Sequence, residues 1–501
     1  MKPTAAVLFL SVLAIGPRLL EAQTLDELQH PLLQKGKAAA TAEYEHYAVE
    51  HVVGDYASTF TMTYFQPQRA VFPQFRIGLA KGLEVRFDGT NQFPTVFSDP
   101  GFAAWTGGGH ALYTDTIRSV AGTVVFRPAP SVEIRAFYQW GRSEDDLNHT
   151  SGSGPVTEIY QSQRGTSSVV SVAGTWLAAA GSHNRPLRSD LDGLHHPLLG
   201  RRHSVIDWEL MRRSYDYGYR SNGDYEYDIK ENVHSTDTRV RLGVRHGLTD
   251  RVQISGDGYW HPPFRMTGVS QVASTWWGTT TVHTTDSSTR YQALFGWRLN
   301  GTWRVNQQGE LFLEGTSEQQ GVATDTPSRP GPVETSRTTT IRFGGTWLSR
   351  RSMRSVPLTA DVAGLYHPLV EPRQIKVDGL VDRLGYRGDR FVPTAWLWRV
   401  QATTGIWSSL QATVYGGMMF VDRSGPATIP DRYKSMGAEL RLRPLARAEV
   451  FSSVHLHPAG VFNTYPVFIL GRDDPYHAYH DFLSNDFGGD RAFHIGLRLV
   501  L

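Results

Sequence analysis

The chain contains no cysteine in its 501 residues. That excludes a disulfide scaffold, thiolate metal sites, haem attached through CxxCH and a lipidated N-terminal cysteine. Long apolar runs are missing too. Beyond residue 22 nothing approaches the about 20 apolar residues of a membrane helix, and the mean hydropathy is −0.33. Net charge is nearly absent at +2, so no electrostatic case for nucleic acid arises. The chain is also too aromatic and too weakly charged for disorder. Phosphate-cradling GxGxxG and GxxxxGK[ST] motifs are absent, as are HExxH and GxSxG. No Ser/His/carboxylate set can be assembled, so no enzyme, resident metal or cofactor is expected.

The N-terminus reads as an export signal. Met1-Lys2 is a short basic start, Ala5 to Gly16 is an apolar core too short to span a bilayer, and Leu20-Glu21-Ala22 ends on a small residue suited to cleavage. Residues 1–22 are therefore expected to be a signal peptide and 23–501 a single mature domain.

The mature chain alternates with period two, the repeat of a strand with one apolar face. At the C-terminus Phe493, Ile495, Leu497, Leu499 and Leu501 oppose His494, Gly496 and Arg498. Leu83, Val85 and Phe87 oppose Glu84, Arg86 and Asp88, and Val132, Ile134, Ala136, Tyr138 and Trp140 oppose Glu133 and Arg135. Val240, Leu242 and Val244 oppose Arg239, Arg241 and Arg245. Further along, Ile254 and Trp260 oppose Asp257, Phe295 and Leu299 oppose Arg298, Trp398 and Val400 oppose Arg399, and Leu440 and Leu442 oppose Glu439, Arg441 and Arg443. Strands pair through short turns such as Ala80-Lys81-Gly82, Arg127–Pro130, His246–Asp250, Asn306–Gly309 and Pro444–Ala446. Between the pairs lie long polar stretches (Ser143–Gln163, Tyr217–Thr238, Ser317–Arg337, Ala459–Arg491), expected to be loops. Trp140, Tyr138, Trp260, Tyr259 and Trp398 stand toward the loop ends, where amphipathic rings favour a membrane–water interface.

With short turns at one rim, long segments at the other and an apolar stripe on every strand, the chain resembles the bacterial outer-membrane β-barrels. The resemblance covers the whole mature chain and is one of class. It implies an all-β transmembrane antiparallel barrel in outer-membrane lipid, inserted by the barrel-assembly machinery. The last strand is similar to the signal that machinery reads, carried here by His494, Gly496, Leu499 and Leu501; the final residue, usually aromatic in that class, is Leu.

An internal triplication sets the strand count. GTWL occurs at Gly174–Leu177 and Gly345–Leu348, GLHHPLL at Gly193–Leu199 matches GLYHPLV at Gly364–Val370, and a third HPLL stands at His30–Leu33. The spacing R-x5-G-[LI] recurs from Arg76, Arg241 and Arg399. Three units, about 30–180, 196–350 and 367–501, with six strands each predict about 18 strands (16 to 20), and barrels of 16–18 strands leave an aqueous channel. No N-terminal plug is expected, because strands begin soon after the cleavage point.

The face opposite the apolar stripe is the expected pore lining. It comprises Arg86, Arg135, Arg239, Arg241, Arg245, Arg298, Arg342, Arg399, Arg441, Arg443 and Arg498, interleaved with Glu84, Glu133, Asp257, Glu439 and Glu449. It reads as a ladder of cross-strand ion pairs, and its surplus of Arg suggests a weak anion preference. Two weaker candidates are a periplasmic His30/His196/His367 set and the Tyr476, His477, Tyr479, His480, Asp481 cluster. The expected function is a porin passing small polar solutes. The alternatives are a sheath around a periplasmic partner such as a multihaem cytochrome, or an uptake channel for aromatic or hydrophobic compounds lined by Phe137, Tyr259 and Tyr415.

Overall fold

The computed structural model describes residues 25–28, 31–54, 61–98, 110–150, 158–179, 197–223, 227–276, 279–325, 331–348, 374–383, 394–407, 409–421, 432–445, 448–457 and 490–500. The signal peptide, His30, His196, His367, the 476–481 cluster and Leu501 lie outside them. A single helical turn, α1 (Leu25–Leu28), precedes twenty-one strand segments. The first unit holds β1 (Ala38–Gly54), β2 (Thr61–Ala80), β3 (Leu83–Phe93), β4 (Thr95–Ser98), β5 (His110–Ala129), β6 (Val132–Thr150) and β7 (Glu158–Ala179). Next come β8 (His203–Gly223), β9 (Tyr227–Thr249), β10 (Val252–His261), β11 (Phe264–Trp276), β12 (Thr279–Tyr291), β13 (Leu294–Arg304), β14 (Gly309–Asp325) and β15 (Glu334–Leu348). The last are β16 (Gln374–Arg383), β17 (Thr394–Trp407), β18 (Leu410–Val421), β19 (Arg432–Leu445), β20 (Ala448–His457) and β21 (Asp490–Val500).

Three interruptions do not start new strands. At Pro94, β3 passes into β4 along the same partner, β5. Pro262-Pro263 separate β10 from β11, both of which pair with β9, because proline cannot donate to a ladder. The pair β12 and β13, divided at 292–293, both meet β14. The described segments therefore form eighteen staves. Every neighbouring pair is antiparallel, and β1 closes on β21 through Thr41↔Val500 to Glu50↔Arg491. Closure leaves no unpaired edge to face hydrocarbon, the condition for a sheet to span lipid.

The packing is inverted relative to a soluble β-protein. Val120, Val240, Leu242, Leu299, Leu313, Val414 and Leu440 are all at least 40 % exposed on the outer face, while Glu84, Arg304, Arg443 and Glu449 on the inner face are essentially buried. On β6 the outward row runs Val132, Ile134, Ala136, Tyr138, Trp140 and then turns charged at Arg142 and Glu144, which pair with each other. A row of that length matches the roughly 25 Å apolar band of such barrels. Around its rims stand Trp140, Trp260, Trp303 and Trp347, each 40–50 % exposed.

The strand limits depart from the sequence reading in one systematic way. Much of Ser143–Gln163, Tyr217–Thr238 and Ser317–Arg337 is not loop. β6 with β7, β8 with β9, and β14 with β15 continue as ladders to Thr150↔Glu158, Gly223↔Tyr227 and Val322↔Glu334. Above the membrane both faces of a hairpin meet water, so alternation vanishes while backbone pairing continues.

The foot of the barrel carries two copies of one turn. Lys37 N–H donates to the Gln34 carbonyl (3.0 Å), with Gly36 at φ 76° between them; His203 N–H donates to the Gly200 carbonyl (2.9 Å), with Arg202 at φ 64°. Gly36 N–H donates to Gly78 O and Arg202 N–H to Gly247 O, each at 2.8 Å. A Cβ on Gly78 would overlap the Gln34 carbonyl, and one on Gly247 the Gly200 carbonyl. The structural counterpart of Gly247 is thus Gly78. It is not Gly82, which the R-x5-G-L spacing selects but which sits in the β2–β3 turn at φ 74°. Gly247→Val is expected to displace the Leu199–Arg202 turn at a cost of about 1–3 kcal/mol, the usual price of overpacking, measured as a lowered urea midpoint in micelles.

Candidate functional site

Antiparallel pairing places an Arg before each of several tight turns beside a Glu after it. Arg127 Nε is 2.5 Å from Glu133 Oε2, Arg304 Nε 3.2 Å from Glu310 Oε2, and Arg443 Nε 2.7 Å from Glu449 Oε2. In each case six residues separate the partners, with one bracket on β5–β6, one on β13–β14 and one on β19–β20. At β2–β3 the fork is bidentate: Arg76 Nε and Nη2 each donate to Glu84 at 2.8 Å, and Arg86 Nε adds a third bond at 2.6 Å. Bidentate charged bonds fix geometry as well as adding energy.

The closure seam holds the densest cluster. Arg498 on β21 donates Nε to Glu43 of β1 at 2.8 Å and Nη1 to Glu449 of β20 at 3.0 Å. Its guanidinium lies 5.6 Å from the centre of the Phe451 ring. Phe451 fits because residue 496 is Gly, whose missing Cβ would collide with that ring. Arg441 pairs with Glu439 and reaches Glu449 at 3.8 Å.

Higher on the wall the pairs are more open to water. Asp257 meets Arg298 at 2.9 Å and Arg241 at 3.4 Å, Arg245 meets Asp207 at 3.9 Å, and Arg239 meets Glu209 at 3.4 Å. Buried Asp237 receives Arg213 at 3.0 Å and His261 at 3.4 Å. Tyr259 donates to Glu318.

Of the residues read from the sequence, Arg86, Arg135, Arg239, Arg241, Arg245, Arg298, Arg441, Arg443, Arg498, Glu84, Glu133, Asp257, Glu439 and Glu449 share the face opposite the apolar band. Arg342 and Arg399 fall on β15 and β17, opposite Glu314 and Asp378 in the ladders; their side chains are outside the described part. His494 lies opposite Ser453, Gly496 under Phe451, and Leu499 on the outer face. Phe137 and Tyr259 share the inner face. Sequence reasoning missed Glu43, Asp207, Glu209, Asp237 and Glu310, together with Arg76, Arg127 and Arg304. Asp207 and Glu209 were legible from Ile206, Trp208 and Leu210 around them, whereas Glu43 sits in an Ala-rich stretch without contrast. With these residues included, the surplus of Arg on the described wall narrows but does not disappear.

Beyond the membrane, Asp325 at the outer end of β14 is held below the ordinary carboxylate range, chiefly by the Arg290 hydrogen bond, with the Gly331 amide also donating. A depressed pKa means the contact is intact above the ordinary Asp value and lost as pH falls through the folded one. Titrating the native protein is expected to shift the Gly331 amide resonance in the acid range, and Asp325→Asn to remove that shift.

No protein-family model matches the sequence, and no curated protein matches it. Similar solved structures include the ferric yersiniabactin uptake receptor FyuA of Yersinia pestis (9 % identity, TM-score 0.48, covering 94 % of this chain and 81 % of that one). The copper transporter OprC (7 %, 0.47, 94 % and 82 %) and a FadL homologue of Pseudomonas aeruginosa (8 %, 0.33, 93 % and 90 %) are others. Values this low leave the class to the barrel's own geometry. A closed antiparallel sheet with an outward apolar band, Trp at both rims and a charged interior defines a transmembrane β-barrel of the bacterial outer membrane.

Proposed function

We propose that the protein is a passive outer-membrane channel for small polar solutes, built from three six-stave units. The carrying observation is a wall of charged side chains that remain partly open inside the closed sheet: Arg135 and Arg241 are each 40 % exposed and Arg298 46 %. An interior packed by the chain's own side chains would bury them. Eighteen strands at the usual spacing and a tilt of about 40° give a backbone radius of roughly 18 Å, ample for water and solute. Because most of the described arginines pair with acids on their own or a neighbouring strand, the lumen is locally charged and close to balanced, which favours a transverse field over bulk anion selection.

Purified protein in planar bilayers is expected to show discrete conductance steps, with a reversal potential close to zero under a potassium chloride gradient. A strongly selective potential would remove the balanced-wall reading. A barrel that does not conduct and carries haem absorbance through purification would favour the sheath around a cytochrome. Of the aromatics named for the hydrophobic-uptake alternative, Phe137 is on the inner face, Tyr259 there is bound to Glu318, and the Tyr415 side chain lies outside the described part.

A further inference from the structure

Inside the foot of a largely polar lumen lies an apolar cluster: Leu25, Leu28, Leu177, Leu199 and Val205, all between 0 and 4 % exposed. Leu177 and Val205 are direct ladder partners on the inner faces of β7 and β8. The other three come from segments outside the sheet. Leu25 and Leu28 belong to α1, and Leu199 to the segment before β8. These segments are pinned to the wall by backbone bonds. Leu25 N–H donates to the Pro130 carbonyl at 2.9 Å, Leu33 N–H to Glu84 at 2.7 Å, and Leu199 N–H to Gln253 at 3.0 Å, while Arg76 reaches the Pro31 carbonyl at 3.3 Å. The two pinning sites are equivalent. Glu84 and Gln253 each stand six residues after the glycine (Gly78, Gly247) that makes room for the turn.

We propose that these two segments, residues 25–28 with 31–37 and residues 197–202, are straps that form a ledge on the inner wall and set the narrowest cross-section of the channel at its foot. The first strap touches staves from β2 to β8 and the second those from β7 to β10, so together they line close to half of the circumference. A backbone layer on a sheet face occupies about 10 Å, more than half of the backbone radius estimated above. The leucines are the physical reason for the strap's placement: in water they would be exposed, and against Leu177 and Val205 they are dry. The ledge rests on the channel reading for its functional meaning, but its seating does not.

The absence of native cysteine makes the seating measurable. In the full-length protein, Leu28→Cys is expected to react with a membrane-impermeant maleimide at least about tenfold more slowly than Lys81→Cys in the exposed β2–β3 turn, since protection follows local opening. Adding Leu25→Asp should abolish that protection. In bilayers, Leu25→Asp/Leu28→Asp is expected to raise single-channel conductance about 1.5- to 2-fold by widening the mouth. Equal labelling of Leu28→Cys and Lys81→Cys would overturn the seating. Conductance steps that the released-strap variant leaves unchanged would overturn the ledge alone. No conductance in the wild type and variants alike would remove the channel reading and the ledge's role together, with seating still decided by the label. Heat-modified gel mobility identifies any variant that fails to close its barrel.

Discussion

Arg498→Ala is expected to destabilise the barrel by about 3–5 kcal/mol, the cost of breaking a buried ion pair while leaving its partners charged. Arg498 is 4 % exposed, and it joins the last strand to the first through Glu43 and to the penultimate one through Glu449. Removing it leaves Glu43 without this partner at the seam and strips one cation from Glu449, although Arg443 and Arg441 still face the latter. The loss falls on the one ladder that turns an open sheet into a barrel. It should therefore show in two measurements: a lower urea midpoint in micelles, and a fraction of chains that run unfolded on gels without heating. Arg498→Lys keeps the charge but loses the fork, so it should recover part of the effect. The double variant Glu43→Gln/Arg498→Met, which removes the charge on both sides of the closure, should be less damaging than Arg498→Ala. If Arg498→Ala unfolds at the wild-type midpoint, the seam is held by backbone pairing alone and the cluster is incidental.

The second large effect is on the outer face. Leu299→Arg places a cation near the middle of the apolar band, where Leu299 is 58 % exposed and flanked on neighbouring staves by Gly256 and Gly315. A charge at that depth costs about 2–4 kcal/mol. Ser255→Arg, one strand away on the charged inner face, should cost no more than about 1 kcal/mol, from the like charge of Arg245 directly opposite. The contrast carries the information, because both substitutions add the same side chain at a similar height. Equal costs in the two variants would mean that the outer face is not in lipid. Every inference about the lumen would then fail.

How much of this was legible in advance depended on contrast between the two faces of a strand. Within the membrane one face meets hydrocarbon and the other the interior, so Val132–Trp140 and Phe493–Leu499 announce their orientation in single-letter code. Strand number followed from repeated segments. The eighteen staves agree with it because the breaks at Pro94, at Pro262-Pro263 and at 292–293 interrupt strands without ending them. Where contrast is lost, legibility goes with it. The extensions of β6 to β9, β14 and β15 are polar on both faces, and the sequence reading took much of them for loops. The acid side of the inner wall was undercounted for a related reason: Glu43 and Glu310 lie close to strand starts, where few apolar neighbours mark the phase.

The amino-acid sequence by itself determined which side chains face lipid and which face inward, since alternation is a local property of a pleated ribbon and needs no partner. It also carried the repeated HPLL segments, though not what they do. Only the tertiary structure decided which charges meet. Arg498 and Glu43 are 455 residues apart, and only closure of the sheet brings them together. It likewise decided that Leu25 and Leu28 fold back into the foot: a short apolar turn ahead of the first strand has many places to go, and the pocket left by Leu177, Leu199 and Val205 exists only once β7 and β8 are paired.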